Sequence, residues 1–183
     1  MKLRHTLLLL AGLAVFPVHA LADSGFYIGA AAGGATQDIE LGGPSEIEAD
    51  DTGFKAFGGY KFDMSVVDLS VELGYVNFGE AEINTADGDV IFAPTAINLW
   101  GVTGFELGRV DLFAKLGVVA WDLETTTVAG SVSDDGTDFG FGLGAGFDIG
   151  KVQIRGELEV YDTSNVDVSM LSMLSLGVTY HFE

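Results

Sequence analysis

The most constraining feature of this sequence is a strict two-residue alternation over residues 173–182. In an extended chain, one face carries apolar and aromatic side chains and the other carries small or polar ones: Leu174, Leu176, Val178, Tyr180 and Phe182 against Ser175, Gly177, Thr179 and His181. Because successive side chains of a strand point to opposite faces, this segment is predicted to be a strand. An apolar outer face, a small or polar inner face and terminal aromatic residues are typical of a strand in the wall of a transmembrane β-barrel.

The same period occurs elsewhere, most clearly over residues 139–149, where apolar residues alternate with Gly or Asp. Glycine weakens an ordinary strand, whereas glycines that face a narrow barrel interior leave room for large side chains from the opposite wall. Eight segments follow this pattern: 26–34, 54–62, 67–75, 97–105, 112–120, 139–149, 152–160 and 173–182. The sequence therefore predicts an all-β fold, a closed eight-stranded antiparallel up-and-down transmembrane β-barrel.

The N-terminus has the pattern of an export signal. Lys2 and Arg4 precede an apolar run over 6–16 that is too short to span a bilayer. Ala20-Leu21-Ala22 is an A-x-A cleavage motif, and a weaker site ends two residues earlier. The chain contains no Cys, which excludes a lipoprotein anchor and a disulfide framework. We predict two segments: a cleaved secretory signal peptide over 1–22 and one outer-membrane β-barrel domain over 23–183.

Charge is distributed very unevenly. Loss of the two basic residues of the signal takes the net charge from −19 to −21, which argues against nucleic-acid binding. Short and long connections alternate, and the long ones hold 17 of the 27 acidic residues and no Lys or Arg: 35–53, 77–96, 122–138 and 162–169. Short periplasmic turns and long outer loops are expected of membrane barrels, so we predict acidic loops at the cell surface.

Several of these segments carry a more specific pattern: 56–60, 71–75 with Phe78-Gly79, 115–117 with Trp121, Arg155 with Glu157, and 173–182. They resemble the transmembrane domain of OmpA and the related outer-membrane β-barrel family. The resemblance implies an integral, multi-pass protein of the bacterial cell outer membrane, surrounded by lipid and lipopolysaccharide. It also implies recognition by the β-barrel assembly machinery of a closing signal formed by Ser175, Gly177, Tyr180 and Phe182.

The resemblance does not extend to the periplasmic peptidoglycan-binding domain of OmpA, so a cell-wall tether is not implied. An extracellular partner that meets the loops is a further possibility for such a barrel. Glu183 follows the final aromatic residue, which departs from the usual closing signal.

Charged residues also fall on the predicted inner face. An eight-stranded barrel has an interior that side chains can fill, and an isolated charge there is costly, so luminal charges should be paired. The alternation places eight of them inside: Lys61, Asp68, Glu72, Lys115, Asp148, Arg155, Glu157 and Glu159. The resemblance implies an ion pair between Glu72 and Arg155, and it places Lys115 and Asp148 among the family's luminal charges.

We therefore predict a luminal charge network of Glu72, Lys115, Asp148, Arg155 and Glu157. It would act either as a gate that passes ions or as a static polar plug that fixes the barrel register, and we favour the static interpretation.

Metal binding and catalysis have weak signals. The acidic segments 87–89 and 134–138 offer oxygen ligands, but neither completes a calcium-loop pattern, so we expect a hydrated rim and no metal or cofactor. His181 is the single histidine after the signal, and no nucleophile motif surrounds it. The predicted function is a non-enzymatic outer-membrane protein with a structural role in the envelope. The alternatives are an adhesin-like barrel, a narrow ion-conducting barrel and a lipid-modifying enzyme.

Overall fold

A computed structural model describes residues 24–40, 46–64, 67–85, 88–127, 130–162 and 168–182. Nine strands account for nearly all of this part of the chain: β1 (Gly25–Glu40), β2 (Glu46–Asp63), β3 (Asp68–Asn77), β4 (Ala81–Thr85), β5 (Gly88–Leu107), β6 (Val110–Thr127), β7 (Gly130–Ile149), β8 (Val152–Asp162) and β9 (Val168–His181). Within these residues no helix is long and apolar enough to cross a membrane.

The strands close into a barrel. Each is antiparallel to its neighbours in the order β3-β2-β1-β9-β8-β7-β6-β5, and a pairing of β3 with β5 completes the circle. β4 continues β3 after a break and pairs with the first residues of β5, whereas β3 pairs with the later residues of β5. β3 and β4 therefore occupy one position in the wall, and the nine strands form an eight-stranded barrel. The prediction of a closed eight-stranded antiparallel barrel is confirmed. The segment 173–182 lies in the closing strand, with Tyr180 opposite Ile28.

The barrel is strongly sheared. The paired residues can be traced from Gly140 of β7 around the barrel in either direction. The path through β6, β5, β3 and β2 arrives at Tyr27 of β1, and the path through β8 and β9 arrives at Gln37 of the same strand. The two end points are ten residues apart. Strand number, shear and diameter are linked, and eight strands leave an interior that side chains fill. We call the end where β2 is followed by β3, β5 by β6 and β7 by β8 the turn end, and the opposite end the rim end.

The two faces of the wall follow the predicted alternation. On β6, Leu116 points outward and is 68% exposed, whereas the neighbouring Lys115 points inward and is 3% exposed. On β7, Phe141 and Leu143 lie outside while Gly142 lies against the lumen. Apolar side chains outside and charged ones inside are the reverse of a water-soluble protein, so this part of the wall suits a lipid environment.

The predicted extent of the long loops is wrong, because most of those residues are strand. β5, β6 and β7 contain 20, 18 and 20 residues, about twice the number needed to cross a bilayer. Toward the rim the polarity of the wall reverses: Leu123 is buried inside, while Asp122 and Glu124 are exposed outside. The outward-facing acidic residues of these strands explain why their composition resembled that of loops in the sequence. Residues 1–23, 41–45, 65–66, 86–87, 128–129, 163–167 and 183 lie outside the described residues, and with them the predicted signal peptide over 1–22.

Phe78 lies in the break between β3 and β4 and continues the inner face of β3, after Glu72, Gly74 and Val76. Phe78 is completely buried there, and the following Gly79 has a positive φ of 83°. The amide of Gly79 donates to Asn77 Oδ1 at 2.9 Å, and the amide of Glu80 donates to Asp51 Oδ2 at 2.6 Å. Two side chains therefore satisfy backbone donors that the interrupted ladder leaves unpaired.

The charged lumen as candidate functional site

Six buried charged side chains meet in the middle of the lumen and form what we call the charged cluster. They project from β2, β3, β6 and β8, and each is at most 5% exposed. Three are basic and three are acidic, so their formal charges cancel: Lys55, Glu72, Lys115, Arg155, Glu157 and Glu159.

Arg155 joins two carboxylates from different strands. Its Nη2 lies 3.0 Å from Glu72 Oε2, and its Nε lies 2.7 Å from Glu157 Oε1. The guanidinium carbon lies 4.8 Å from the centre of the Phe57 ring and 4.4 Å from that of Phe113. The edges of the guanidinium therefore meet carboxylates while its faces meet aromatic rings, an environment suited to Arg more than to Lys.

Lys115 contacts all three carboxylates of the cluster. Its Nζ lies 2.6 Å from Glu72 Oε1, 2.6 Å from Glu157 Oε2 and 2.7 Å from Glu159 Oε1. An ammonium group has three donors, so three carboxylate contacts use its full capacity. Lys115 therefore ties β3 to β8 across the lumen.

Lys55 belongs to the cluster although the predicted network omits it. Its Nζ lies 2.6 Å from Glu159 Oε2 and 3.2 Å from Glu157 Oε2. The signal was present in the sequence, because Phe54 was assigned to the outer face and the next residue must then face inward.

The structure places Asp148 outside this cluster. Asp148 lies close to the turn end of β7, where its Oδ1 accepts a hydrogen bond from Gln153 Nε2 at 3.0 Å. Lys61 also lies near that end, and its Nζ contacts Asp68 at 3.2 Å and Glu106. The predicted luminal charges therefore lie at two heights along the barrel axis, one in the charged cluster and one near the turn end. The sequence alternation shows only that these side chains face inward and does not separate the two heights. A small cavity of about 40 Å³ lies between these levels, lined in part by Lys61, Asp68, Asp111, Arg155 and His181.

Apolar side chains close the lumen on the rim side of the cluster. We call four of them the rim-side plug, each at most 1% exposed: Phe78, Trp100, Tyr161 and Met173. The rings of Phe78 and Tyr161 meet edge to face at 5.0 Å, and those of Trp100 and Tyr161 lie 5.8 Å apart. Tyr161 donates from its hydroxyl to Glu159 Oε2 at 3.0 Å, which joins the plug to the charged cluster.

The three acids of the cluster lie close enough together to share a cation. Lys55, Lys115 and Arg155 already supply positive charge to these carboxylates at hydrogen-bonding distance. The donor set therefore suits ammonium and guanidinium groups rather than a metal ion.

The closing strand places its residues on both faces. Ser175 and Gly177 are buried on the luminal side, while the outward rings of Tyr180 and Phe182 meet edge to face at 5.1 Å. The His181 ring lies 5.5 Å from that of Tyr27 at the turn end. Recognition of this strand by an assembly machinery stays a prediction.

The family model of the outer membrane protein beta-barrel domain matches residues 7–182. The chain therefore belongs to the outer-membrane β-barrel protein family. No curated protein sequence gives a significant match.

Solved structures with a similar fold include Neisserial surface protein A, at 16% identity and a TM-score of 0.68, with 87% of this chain and 99% of that chain covered. Ail, the attachment invasion locus protein of Yersinia pestis, was solved in complex with the heparin analogue sucrose octasulfate. It matches at 18% identity and a TM-score of 0.58, with 86% of this chain and 99% of that chain covered. The outer membrane enzyme PagL matches at 15% identity and 0.50, with 84% and 98% covered. At these identities the likeness shows the fold alone.

Proposed function

We propose that this chain is a non-enzymatic, integral outer-membrane barrel that stabilises the cell envelope and does not conduct ions. The observation that carries the proposal is the continuous filling of the lumen by the charged cluster and the rim-side plug. In this proposal the turn end faces the periplasm and the rim end faces the outside, because only at the rim end do the strands continue past the lipid-type wall into a zone with an acidic exterior. Lipid and lipopolysaccharide surround the wall, and the assembly machinery inserts it.

The filled lumen argues against the ion-conducting alternative. A permeating ion would have to displace Trp100 and Tyr161, which are each 1% exposed and in ring contact. It would also enter an apolar layer without a paired charge, and the penalty for this is several kcal/mol. The charged cluster is then a fixed polar layer, because each rearrangement leaves a buried charge without its partner.

The arrangement of possible nucleophiles supports a non-enzymatic role. A hydroxyl nucleophile needs a general base within hydrogen-bond reach. Ser175 lies six residues from His181 on one strand, a separation of about 20 Å. Thr179 shares the inner face with His181 but is fully buried, away from substrate.

Fractionation of cells that express the chain tests location, and planar-bilayer recording tests closure. We expect the folded chain in the outer-membrane fraction, with a gel mobility that shifts on boiling. We expect no steady conductance from the purified barrel, and greater dye permeability in a deletion strain. A soluble or inner-membrane location without a mobility shift, or a steady single-channel conductance from the unmodified chain, would contradict the proposal.

A further inference from the structure

We propose that the outside of the barrel wall holds one anionic phospholipid near the turn end, with one acyl chain in a groove of the wall and its phosphate at Arg109. The inference deepens the proposed function, because it assigns a lipid class to one site on the membrane-spanning wall. It rests on that function, which places the turn end, and with it the bound lipid, on the periplasmic side of the membrane.

The groove lies on the apolar outside of the wall, at a place where the outward-facing residues are small. Two adjoining depressions, of about 490 and 530 Å³, share Thr103 of β5 and Ala114 of β6. These two residues stand directly opposite each other, and Gly101 is the next residue on the same face of β5. We call the two depressions together the wall groove, and these three small residues form its floor.

Large apolar side chains border this floor. They belong to β3, β5, β6 and β7 and lie on the outer face of the wall: Leu69, Val71, Phe105, Leu112, Leu116 and Leu143. Lipid tails are as apolar as these side chains, so close packing rather than hydrophobicity distinguishes one position on the wall from another. A floor of small residues between large ones provides that closer packing for a flexible hydrocarbon chain.

Two hairpin turns place basic side chains at the end of the wall groove. Gly108-Arg109 joins β5 to β6, and Gly150-Lys151 joins β7 to β8, with a positive φ of 74° and 66° at the two glycines. The turns are neighbours, because the amide of Asp148 donates to the carbonyl oxygen of Arg109 at 2.9 Å. Leu112 at the border of the groove is three residues from Arg109, about 10 Å along an extended strand.

The charges of these turns suit an anionic headgroup. Arg109 and Lys151 are both exposed, and neither side chain forms an ion pair with another residue that the structure describes. The acids nearest in sequence have luminal partners instead, since Glu106 contacts Lys61 and Asp148 accepts from Gln153. Basic residues at a membrane surface attract anionic lipids, and a guanidinium group can bind two phosphate oxygens at once.

Shape and charge disfavour other occupants of the wall groove. A second copy related by a twofold axis would set one concave groove against the other and would bring the two Arg109 side chains together. At the rim end the exposed side chains beyond the wall include Asp122 and Glu124, which would repel a phosphate. The turn end is therefore the better side for the headgroup.

Titration of the full chain in lipid nanodiscs tests the proposal. The nanodiscs contain phosphatidylcholine with rising fractions of phosphatidylglycerol, and backbone amide shifts report binding. We expect saturable shifts concentrated in residues 101–105 and 109–116, and one retained phosphatidylglycerol by native mass spectrometry. Shifts that spread evenly around the barrel, or that do not saturate, would overturn the proposal.

Two charge variants test the headgroup contact. Arg109→Gln removes the charge at the end of the wall groove, whereas Lys151→Gln removes the same charge from the neighbouring turn. We expect both variants to keep their heat-dependent mobility shift, and the first to weaken phosphatidylglycerol binding several-fold more than the second. Equal losses would show general attraction of anionic lipid to the turn end and would contradict the assignment to Arg109.

Two size variants test the acyl-chain contact. Ala114→Leu fills the floor of the wall groove, whereas Ala120→Leu makes the same change on the same face of β6 outside both depressions. We expect only the first to weaken phosphatidylglycerol binding several-fold. Unchanged binding in both variants would remove the groove from the site. Self-association in lipid-free micelles that Ala114→Leu abolishes would identify a second copy as the occupant and overturn the proposal.

Labelling of intact cells tests the side of the membrane separately. The chain contains no Cys, so Ser133→Cys and Lys151→Cys each introduce a single thiol, toward the rim end and in a turn. A membrane-impermeant maleimide should label the first variant and not the second. The opposite result would contradict the proposed orientation and the periplasmic placement of the lipid. The nanodisc titration would still decide whether the site exists, because both leaflets of a nanodisc contain the same lipids.

Discussion

Arg155 illustrates at the residue scale how this fold tolerates a buried charge. Two carboxylates, Glu72 and Glu157, meet its edges, and the rings of Phe57 and Phe113 cover its faces. Such a pair gives little net stability over an apolar replacement of both partners, but removal of one partner is costly because the other charge stays buried. The contribution of Arg155 is therefore mainly to compensate the acids around it.

Replacement of this side chain gives the first prediction. Arg155→Ala should lower the free energy of unfolding by about 3–5 kcal/mol, because Glu72 and Glu157 lose a buried counter-charge. Urea unfolding of the reconstituted barrel, followed by Trp fluorescence, measures the change. The control Lys151→Ala alters an exposed turn residue and should change stability by no more than about 0.5 kcal/mol. Equal unfolding midpoints for the two variants would remove Arg155 from this role.

Lys115 and Lys55 allow a second comparison within the cluster. Lys115 contacts three carboxylates, whereas Lys55 contacts two. Lys115→Met should therefore destabilise the barrel more than Lys55→Met does, because it leaves more acid groups without a donor. The same urea titration ranks the two variants, and the reverse order would show that contact number does not decide the contribution.

At the scale of elements, the break between β3 and β4 is the feature that most alters the wall. Asp51 and Asn77 accept hydrogen bonds from the freed amides of Glu80 and Gly79. Phe78 packs against Tyr161 on the inner face, as the alternation of β3 requires. The break therefore ends the pairing of β3 with β2 without moving this part of the plug out of the lumen.

Gly79 is the position on which this break depends. A Cβ on Gly79 would lie 2.5 Å from Asp51 Oδ2, and its φ of +83° is unfavourable for other residues. Gly79→Ala should lower the unfolding free energy by about 1–3 kcal/mol. The control Gly34→Ala places its Cβ where no atom lies within 4 Å and should be close to neutral. Equivalent stability of the two variants would show that the break does not require the glycine conformation.

Across the whole molecule, the wall has two zones of opposite polarity. Around the charged cluster the interior is polar and the exterior apolar, with Lys115 inside and Leu116 outside. Toward the rim the interior is apolar and the exterior polar, with Leu123 inside and Glu124 outside. The first zone suits a lipid environment and the second suits water. A single barrel therefore combines a membrane-spanning wall with a projecting part that has an apolar core and a polar exterior.

The apolar interior toward the rim contains the rim-side plug, which leads to a prediction about the conductance of the whole barrel. The rim-side plug, rather than the ion pairs, should block ion flow. In planar bilayers, Arg155→Ala should remain non-conducting, whereas Phe78→Ala combined with Trp100→Ala should give a steady conductance. If the double variant lacks a heat-dependent mobility shift and is therefore not folded, the single variant Trp100→Leu is recorded in its place. A conducting Arg155→Ala barrel would support the gate interpretation instead.

Particular residues show how far the sequence led. The alternation over 173–182 and the Gly-rich segment 139–149 predicted the faces and the closed barrel, because period two is a local property of extended chains. Lys55 could have been found by the same rule. The joint contacts of Lys115, and the displacement of Asp148 from the cluster, depend on the shear, which relates residues on distant strands.

The sequence by itself determined the face on which each side chain lies and the class of fold, because polarity and alternation are written in the order of residues. The tertiary structure decided where the lipid-type zone ends and which charges meet, and it decided that Phe78 packs against Tyr161. It also decided that β7 extends beyond its pairing with β8, which begins at Gly140. These features arise from strand register and tilt around a closed barrel, which no single segment specifies.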